Sequence, residues 1–290
     1  MPNKFIRCIN NMSSVAILMT VYNRKEQTIK CLRSIRSQEF PKNCELTIYL
    51  TDDGCTDGTP DAVRERFPDV KIIYGDGTLF WNRGMYTAWS AAAKDKDYDF
   101  YLWLNDDCFL YPQMLRMLLE ASSTKDDKAI IVGATQTSDH SKQTYGGRMM
   151  DNSFPVMGEG LKRVDYFNGN IVLTPRYVYQ HLGNLDYYFI HHYGDYDYGL
   201  RARNAHIGIY QIDEFLGECD LHKSLDKWCN PNISFTERWK ALWKPNGMPP
   251  REVFHFEKRH HGFLKAVARY ATTIIHCCIP SIWSNQYRRN

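Results

Sequence analysis

Short unbroken apolar runs alternate along this chain with stretches in which apolar residues return every three or four positions. Val15-Ala16-Ile17-Leu18-Met19-Thr20 is the kind of run expected of a strand buried on both faces. From Lys25 to Gln38, Ile29, Leu32 and Ile35 stand at helical spacing with charges between them. Leu46 to Leu50 reads as a second strand, and Thr59-Pro60 opens a helix that runs through Phe67. Val70 to Tyr74 gives a third strand, Met85 to Ala93 a third helix, and Phe100 to Leu104 a fourth strand. This β-α-β-α-β-α-β order predicts an α/β fold: a Rossmann-like, mainly parallel sheet flanked by helices on both faces. Right-handed crossovers then place ligands outside the carboxyl ends of the strands.

Beyond Ile130 the pattern is more mixed. It holds a strand at Phe167–Leu173, a helix begun by Pro175 and another from Asp195 to Asn204. After Asp220 it changes to aromatic, basic and Pro-containing sequence. The predicted organisation is a tail at 1–14, a catalytic domain at 15–225 and a C-terminal helical appendage at 226–290. Within the domain, the regular alternation fills 15–107 and the mixed pattern 108–225.

Composition narrows the class. Hydrophobic residues are 43% and charged residues 24% of 290, ordinary values for a folded globular chain. A net charge of +3 is too small to argue for nucleic acid, and no such partner is expected. Nine cysteines without any C-x-x-C pair argue for reduced thiols rather than a disulfide framework or zinc site. The first fourteen residues lack the apolar run of a signal peptide, so a cytoplasmic protein is expected.

Five polar clusters fall at predicted strand ends or helix starts. Asn105-Asp106-Asp107 sets two carboxylates side by side, an arrangement that a divalent cation would stabilise. The plainer reading is a solvated turn before the helix Pro112–Glu120. In Thr51-Asp52-Asp53-Gly54-Cys55-Thr56-Asp57-Gly58, Asp52 stands at the immediate end of a strand, where it can accept from a base N–H or ribose hydroxyls. Asp57 reads as a cap for the next helix. Thr20-Val21-Tyr22-Asn23-Arg24 offers an aromatic face and phosphate-binding groups, or an ordinary loop capped by Asn23. In Tyr193-Gly194-Asp195-Tyr196-Asp197-Tyr198-Gly199-Leu200-Arg201, Asp195 is either an N-cap or a general base. Asp197 and Arg201 form an i, i+4 pair. His222 follows in Cys219-Asp220-Leu221-His222.

In this order and spacing the clusters resemble the family-2 glycosyltransferases, inverting enzymes of the GT-A fold, over Val15 to about Lys223. The resemblance implies a nucleotide-sugar donor held by the half 15–107, an acceptor held by the half 108–225, and a bound Mg²⁺ or Mn²⁺. It implies that Thr20, Tyr22, Arg24, Asp52, Asn105 and Asp106 form the nucleotide site, with Tyr22 against the base. Asn82 or Arg83, in the stretch after the third strand, would reach the diphosphate. Asp107 and His222 would hold the metal, and Asp195 would be the base that deprotonates the acceptor. Two positions depart from the family pattern: Asn105 opens its D-x-D motif and Gly194 replaces the Glu of its E-D motif. They keep open a silent sugar-nucleotide-binding or scaffold protein of the same fold. An ionised Asp195 at a helix start is expected to stay charged at neutral pH through the helix dipole.

Two other enzyme classes fail at single loops. Phe80 occupies the third-glycine position of a dinucleotide fingerprint beginning Gly75-x-Gly77, and the loop at Tyr22–Glu26 lacks the glycines of a sugar-phosphate nucleotidylyltransferase. Phe80-Trp81 is either core or sugar-site lining. The resemblance further implies a glycan or lipid-linked acceptor, as in bacterial surface polysaccharide or glycolipid synthesis. The segment Phe263–Trp283 is apolar but broken by Lys265, Arg269, His276 and Pro280. It reads equally as a helix at the headgroup level of the inner membrane face or as one packed on the domain.

Overall fold

The computed structural model describes residues 13–39, 44–158, 160–221 and 226–282. The first half follows the apolar pattern closely: β1 (Ser13–Val21), α1 (Lys25–Arg36), β2 (Cys44–Asp52), α2 (Thr59–Arg66), β3 (Lys71–Tyr74), α3 (Phe80–Asp95) and β4 (Phe100–Leu104). Both faces of these strands are covered, which is why their sequences are runs and not alternations. In β4, Phe100, Leu102 and Leu104 enter one core, while Tyr101 and Trp103 enter the other.

One helix departs from expectation. α3 begins at Phe80, five residues before the predicted start, because the Asp53 carboxylate receives the N–H groups of Gly77, Leu79 and Phe80 at 3.0, 3.1 and 2.8 Å. A cap supplied from another strand end is invisible to local periodicity.

The chain continues through β5 (Phe109–Leu110), α4 (Met114–Ser123), β6 (Ile130–Gln136), β7 (Gln143–Tyr145), β8 (Gly147–Arg148), β9 (Lys162–Arg163) and β10 (Tyr166–Phe167). Then come β11 (Ile171–Pro175), α5 (Arg176–Leu182), α6 (Gly194–Asn204) and β12 (Ile209–Glu218). The predicted strand Phe167–Leu173 is thus two strands parted by a turn at Asn168-Gly169-Asn170. The main sheet runs β3-β2-β1-β4-β11-β6-β12-β5, parallel from β3 to β4. β11 is antiparallel to both β4 and β6, so the second half is of mixed direction. In the parallel part Val21 pairs with Asp52 and Leu18 with Trp103, so the loops after β1, β2 and β4 open at one edge.

The C-terminal segment forms α7 (Phe235–Leu242), α8 (Pro250–His261) and α9 (Phe263–Cys278). α8 packs on the domain: Phe256 joins Phe189 and Leu200 in a small core with Tyr166, Tyr193 and Tyr196 around it. The eight cysteines among the described residues are all free.

Candidate active site

A cavity of about 830 Å³ opens at the carboxyl ends of β1, β2 and β4. Of the residues singled out from sequence, Thr20, Tyr22, Arg24, Asn105, Asp106, Asp107 and Asp195 line it. They come from three separate segments that the sheet brings to one place. Tyr22 is exposed there, its ring free for a planar partner.

Arg24 does not stand free as a phosphate ligand. Its Nη1 lies 3.2 Å from Asp106 Oδ1 and 2.8 Å from Asp107 Oδ2, bridging the two carboxylates. Asp106 is buried and also accepts from Thr28 Oγ1 at 3.3 Å. Burial pushes its pKa up to about 7; the Arg24 charge opposes that rise and Asp107 adds to it. Asp107 is more exposed than Asp106, and its Oδ1 accepts from the Cys219 thiol at 3.5 Å. Hard divalent cations of the Mg²⁺ and Mn²⁺ type bind through one or two carboxylates with substrate phosphates completing the shell. Asp107 offers such a carboxylate to the cavity, where a cation would displace the Arg24 guanidinium from its Oδ2 or the Cys219 thiol from its Oδ1. His222 lies outside the described residues.

Asp195 begins α6 beside Gly194, after Tyr193 at φ 69°. Its Oδ2 accepts from Gly169 N–H and its Oδ1 from Tyr196 N–H, each at 2.9 Å. Burial raises its pKa to about 6, while those two N–H groups hold it back from rising further. The Gly169 turn and the start of α6 together temper the shift and do not cancel it, and the carboxylate is still ionised at neutral pH.

Gly194 has a steric reason. A Cβ there would meet Asn82 Oδ1 at 1.7 Å, so the side chain of Asn82 occupies the space that any larger residue would need. Asn82 is itself fully buried; its Nδ2 donates to Asp186 O and Phe189 O at 2.9 and 2.7 Å. Arg83 Nε donates to Tyr187 O at 3.0 Å, with its guanidinium over the Tyr187 ring. With α3 starting at Phe80, these two residues sit in a helical turn and hold the segment 186–190, away from the cavity wall. Asp52 is also turned away: it is buried and its Oδ1 accepts from Cys55 N–H at 2.9 Å. The carboxylate that lines the cavity after β2 is that of Asp53. Asn23 caps no helix; its Oδ1 accepts from Thr56 N–H at 2.7 Å and ties the first two loops together. Asp57 is not the cap of α2, which is Gly58; it stands one residue earlier, accepting from Thr59 N–H and, across the loops, from Lys25 N–H, each at 3.0 Å.

Phe80 and Trp81, which the sequence left between core and sugar-site lining, stand at the cavity, whereas Gly169, His191 and His192 escaped sequence reasoning. Trp81 Nε1 donates to Asn105 Oδ1 at 2.7 Å, which fixes the Asn105 amide, and both Phe80 and Trp81 line the cavity. Gly169 lets the Trp81 ring approach, since a Cβ would meet its Cζ2 at 2.5 Å. The Asn-Gly-Asn sequence at 168–170 was the available signal, a turn-forming triplet inside an apolar stretch. His191, His192 and Tyr193 form another wall, and Asn246 and Met248 from the C-terminal segment complete it.

A network behind α6 binds this wall to the appendage. Asp197, fully buried, accepts from Arg201 Nε at 2.9 Å, as its i, i+4 spacing suggested. Its Oδ1 also receives Arg259 Nη1 at 2.6 Å and pairs with His260 Nε2 at 2.9 Å. Arg259 Nη2 reaches Asp186 at 2.5 Å, and Glu252 accepts from Ile190 N–H at 3.3 Å. Burial alone would raise the Asp197 pKa, but its partners hold it below the ordinary carboxylate value.

The model of glycosyl transferase family 2 matches residues 16–184, more than half of the chain. Glycosyltransferase AglE of Haloferax volcanii is 27% identical over 104 residues, 35% of this chain and 33% of AglE. The match thus spans about a third of that relative. Among solved structures, the mannosyltransferase PcManGT from Pyrobaculum calidifontis, in complex with GDP-Man and Mn²⁺, superposes with a TM-score of 0.56. It is 16% identical, covering 96% of this chain and 79% of that one. S. aureus TarS 1-349 with UDP-GlcNAc gives 0.53 at 13% identity, covering 91% and 72%. At these identities the superpositions speak for a shared fold, the GT-A glycosyltransferase fold.

Proposed function

The chain belongs to glycosyl transferase family 2, and we propose that it moves a sugar with inversion from a nucleoside-diphosphate donor to an acceptor hydroxyl. The observation that carries this reading is the shared cavity. Asp195, a carboxylate with its pKa near 6, lines the same space as Asp107 and the Thr20–Arg24 loop. A base that is ionised at neutral pH yet raised toward it suits proton abstraction from a hydroxyl. The acceptor oxygen attacks the anomeric carbon, the bond to the diphosphate breaks, and the hydroxyl proton passes to the Asp195 carboxylate.

Donor recognition falls to Thr20, Tyr22 and Asn105 in this proposal, with the Tyr22 ring against the base. Asp52 joins them only if its turn with Cys55 opens toward the cavity. Asp107 would hold Mg²⁺ or Mn²⁺ together with diphosphate oxygens. A cation so held supplies Lewis-acid stabilisation of the leaving-group charge. PcManGT holds GDP-Man with Mn²⁺ and TarS holds UDP-GlcNAc, which supports a nucleotide-sugar donor here, with UDP- and dTDP-sugars the first to try. Tyr145, Tyr193 and Tyr196, which line the same cavity as Asp195, offer aromatic groups of the kind that bind sugars, in keeping with a glycan or lipid-linked acceptor of surface polysaccharide or glycolipid synthesis.

Thermal stability is measured against a panel of nucleoside diphosphates and nucleotide sugars with Mn²⁺, Mg²⁺ or a chelator. One nucleotide should stabilise the protein in a metal-dependent way, by ~2.7 kcal/mol at about 100 times its dissociation constant. A response to none of them removes the donor site and leaves a scaffold.

A further inference from the structure

Helix α9 leaves most of its apolar surface uncovered. Its buried residues are Ala266, Thr273 and Cys277, a narrow row of small side chains. Leu264 is 84% exposed, and Phe263, Val267, Ile275 and Ile279 lie between 45% and 60%. At about 100° per residue, Leu264, Val267, Ala268, Ala271, Ile275 and Ile279 fall in one stripe. Lys265 and Arg269, one turn apart and both exposed, border it.

Charge says what the stripe meets. Residues 226–290 hold eleven Lys and Arg against four Asp and Glu, a net +7, whereas the whole chain is +3 and residues 1–225 are therefore −4. A second copy of the chain would bring one cationic row against another, which disfavours self-association. An anionic lipid surface satisfies both features: it accepts the apolar stripe among its acyl chains and attracts the basic flank. No helix among the described residues is long and apolar enough to cross a membrane.

We infer that α9 lies in the plane of an anionic membrane surface with its Leu264–Ile279 stripe down and Lys265 and Arg269 at headgroup level. Asn246 and Met248, from the same C-terminal segment, line the cavity, so docking holds the site next to lipid-borne molecules. The docking itself does not depend on the proposed reaction.

The full chain is sedimented with vesicles of phosphatidylcholine, with and without phosphatidylglycerol. Binding is expected only where phosphatidylglycerol is present, and rising salt should release the protein. Leu264→Asp should weaken binding at least about tenfold by removing buried apolar area, and Lys265→Glu should weaken it less. Both positions are exposed, so unchanged melting curves and unchanged nucleotide-induced stabilisation show that the variants are folded. Retention of the intact protein in the supernatant, or vesicle binding indifferent to Leu264→Asp, overturns the inference. So does a concentration-dependent dimer that Leu264→Asp dissociates, because the stripe is then an interface between copies.

Discussion

The two sides of the cavity are held in different ways. On the donor side, each functional residue sits within a few positions of a strand that positions it: Thr20 is the penultimate residue of β1, Asp53 follows β2, and Asn105 follows β4. On the acceptor side, Asp195 depends on contacts from far along the chain. Gly169 donates to it, and Asp197 on the same helix is gripped by Arg259 and His260, more than sixty residues away. The first arrangement is modular and the second is a keystone. Damage to the donor side should act locally, whereas damage around α6 should cost both stability and turnover.

The largest expected effect is Asp195→Asn. Transfer should fall by about 10²–10⁴-fold, with nucleotide-induced stabilisation retained. Unchanged turnover would remove Asp195 as the base. Next comes Asp197→Asn, which leaves Arg201, Arg259 and His260 around a neutral group. Breaking such a buried network costs about 3–5 kcal/mol, read as a shift in urea midpoint. A loss below 1 kcal/mol would make the two sides equally modular.

A subtler break is Gly169→Ala. Its methyl would overlap the Trp81 ring at 2.5 Å and strain the site by about 1–3 kcal/mol. Since Gly169 N–H also holds Asp195 and Trp81 holds Asn105, kcat should fall while the overall fold persists in circular dichroism.

The pH dependence sharpens the comparison at its weakest end. Asp195 must be ionised to act, so activity should drop with a slope of one proton as pH falls below about 6. Asp106 gives the donor side its own signature. Its folded pKa of about 7 lies above the ordinary 3.8, so the folded state holds more protons between those values. Stability therefore falls as pH rises through that window. Asp106→Asn should flatten the dependence, leaving the smaller contribution of the same sign from Asp195. An unaltered slope would mean that Arg24 keeps Asp106 ionised throughout.

Much of this could be read from the chain alone. β1 and β4 were visible because a strand covered on both faces must be apolar at successive positions, and no distant contact is needed to see it. The clusters at 20–24, 105–107 and 195 were legible for a related reason, as polar residues at the edges of such elements. α6 and its Asp197–Arg201 pair followed from helical spacing.

The early start of α3, by contrast, depends on the Asp53 carboxylate, and the absence of a side chain at position 194 depends on Asn82. Which of two adjacent aspartates lines the cavity turns on strand direction and register, since neighbouring side chains point to opposite faces. The choice for the C-terminal segment was likewise tertiary: α8 is fixed on the domain by Arg259 and Phe256, while α9 keeps an open apolar face. Sequence carried the fold's elements and the chemistry available at their ends, because those depend on residues a few positions apart. Only the assembled sheet and its appendage decided which groups meet, because that depends on contacts between residues that no local pattern connects.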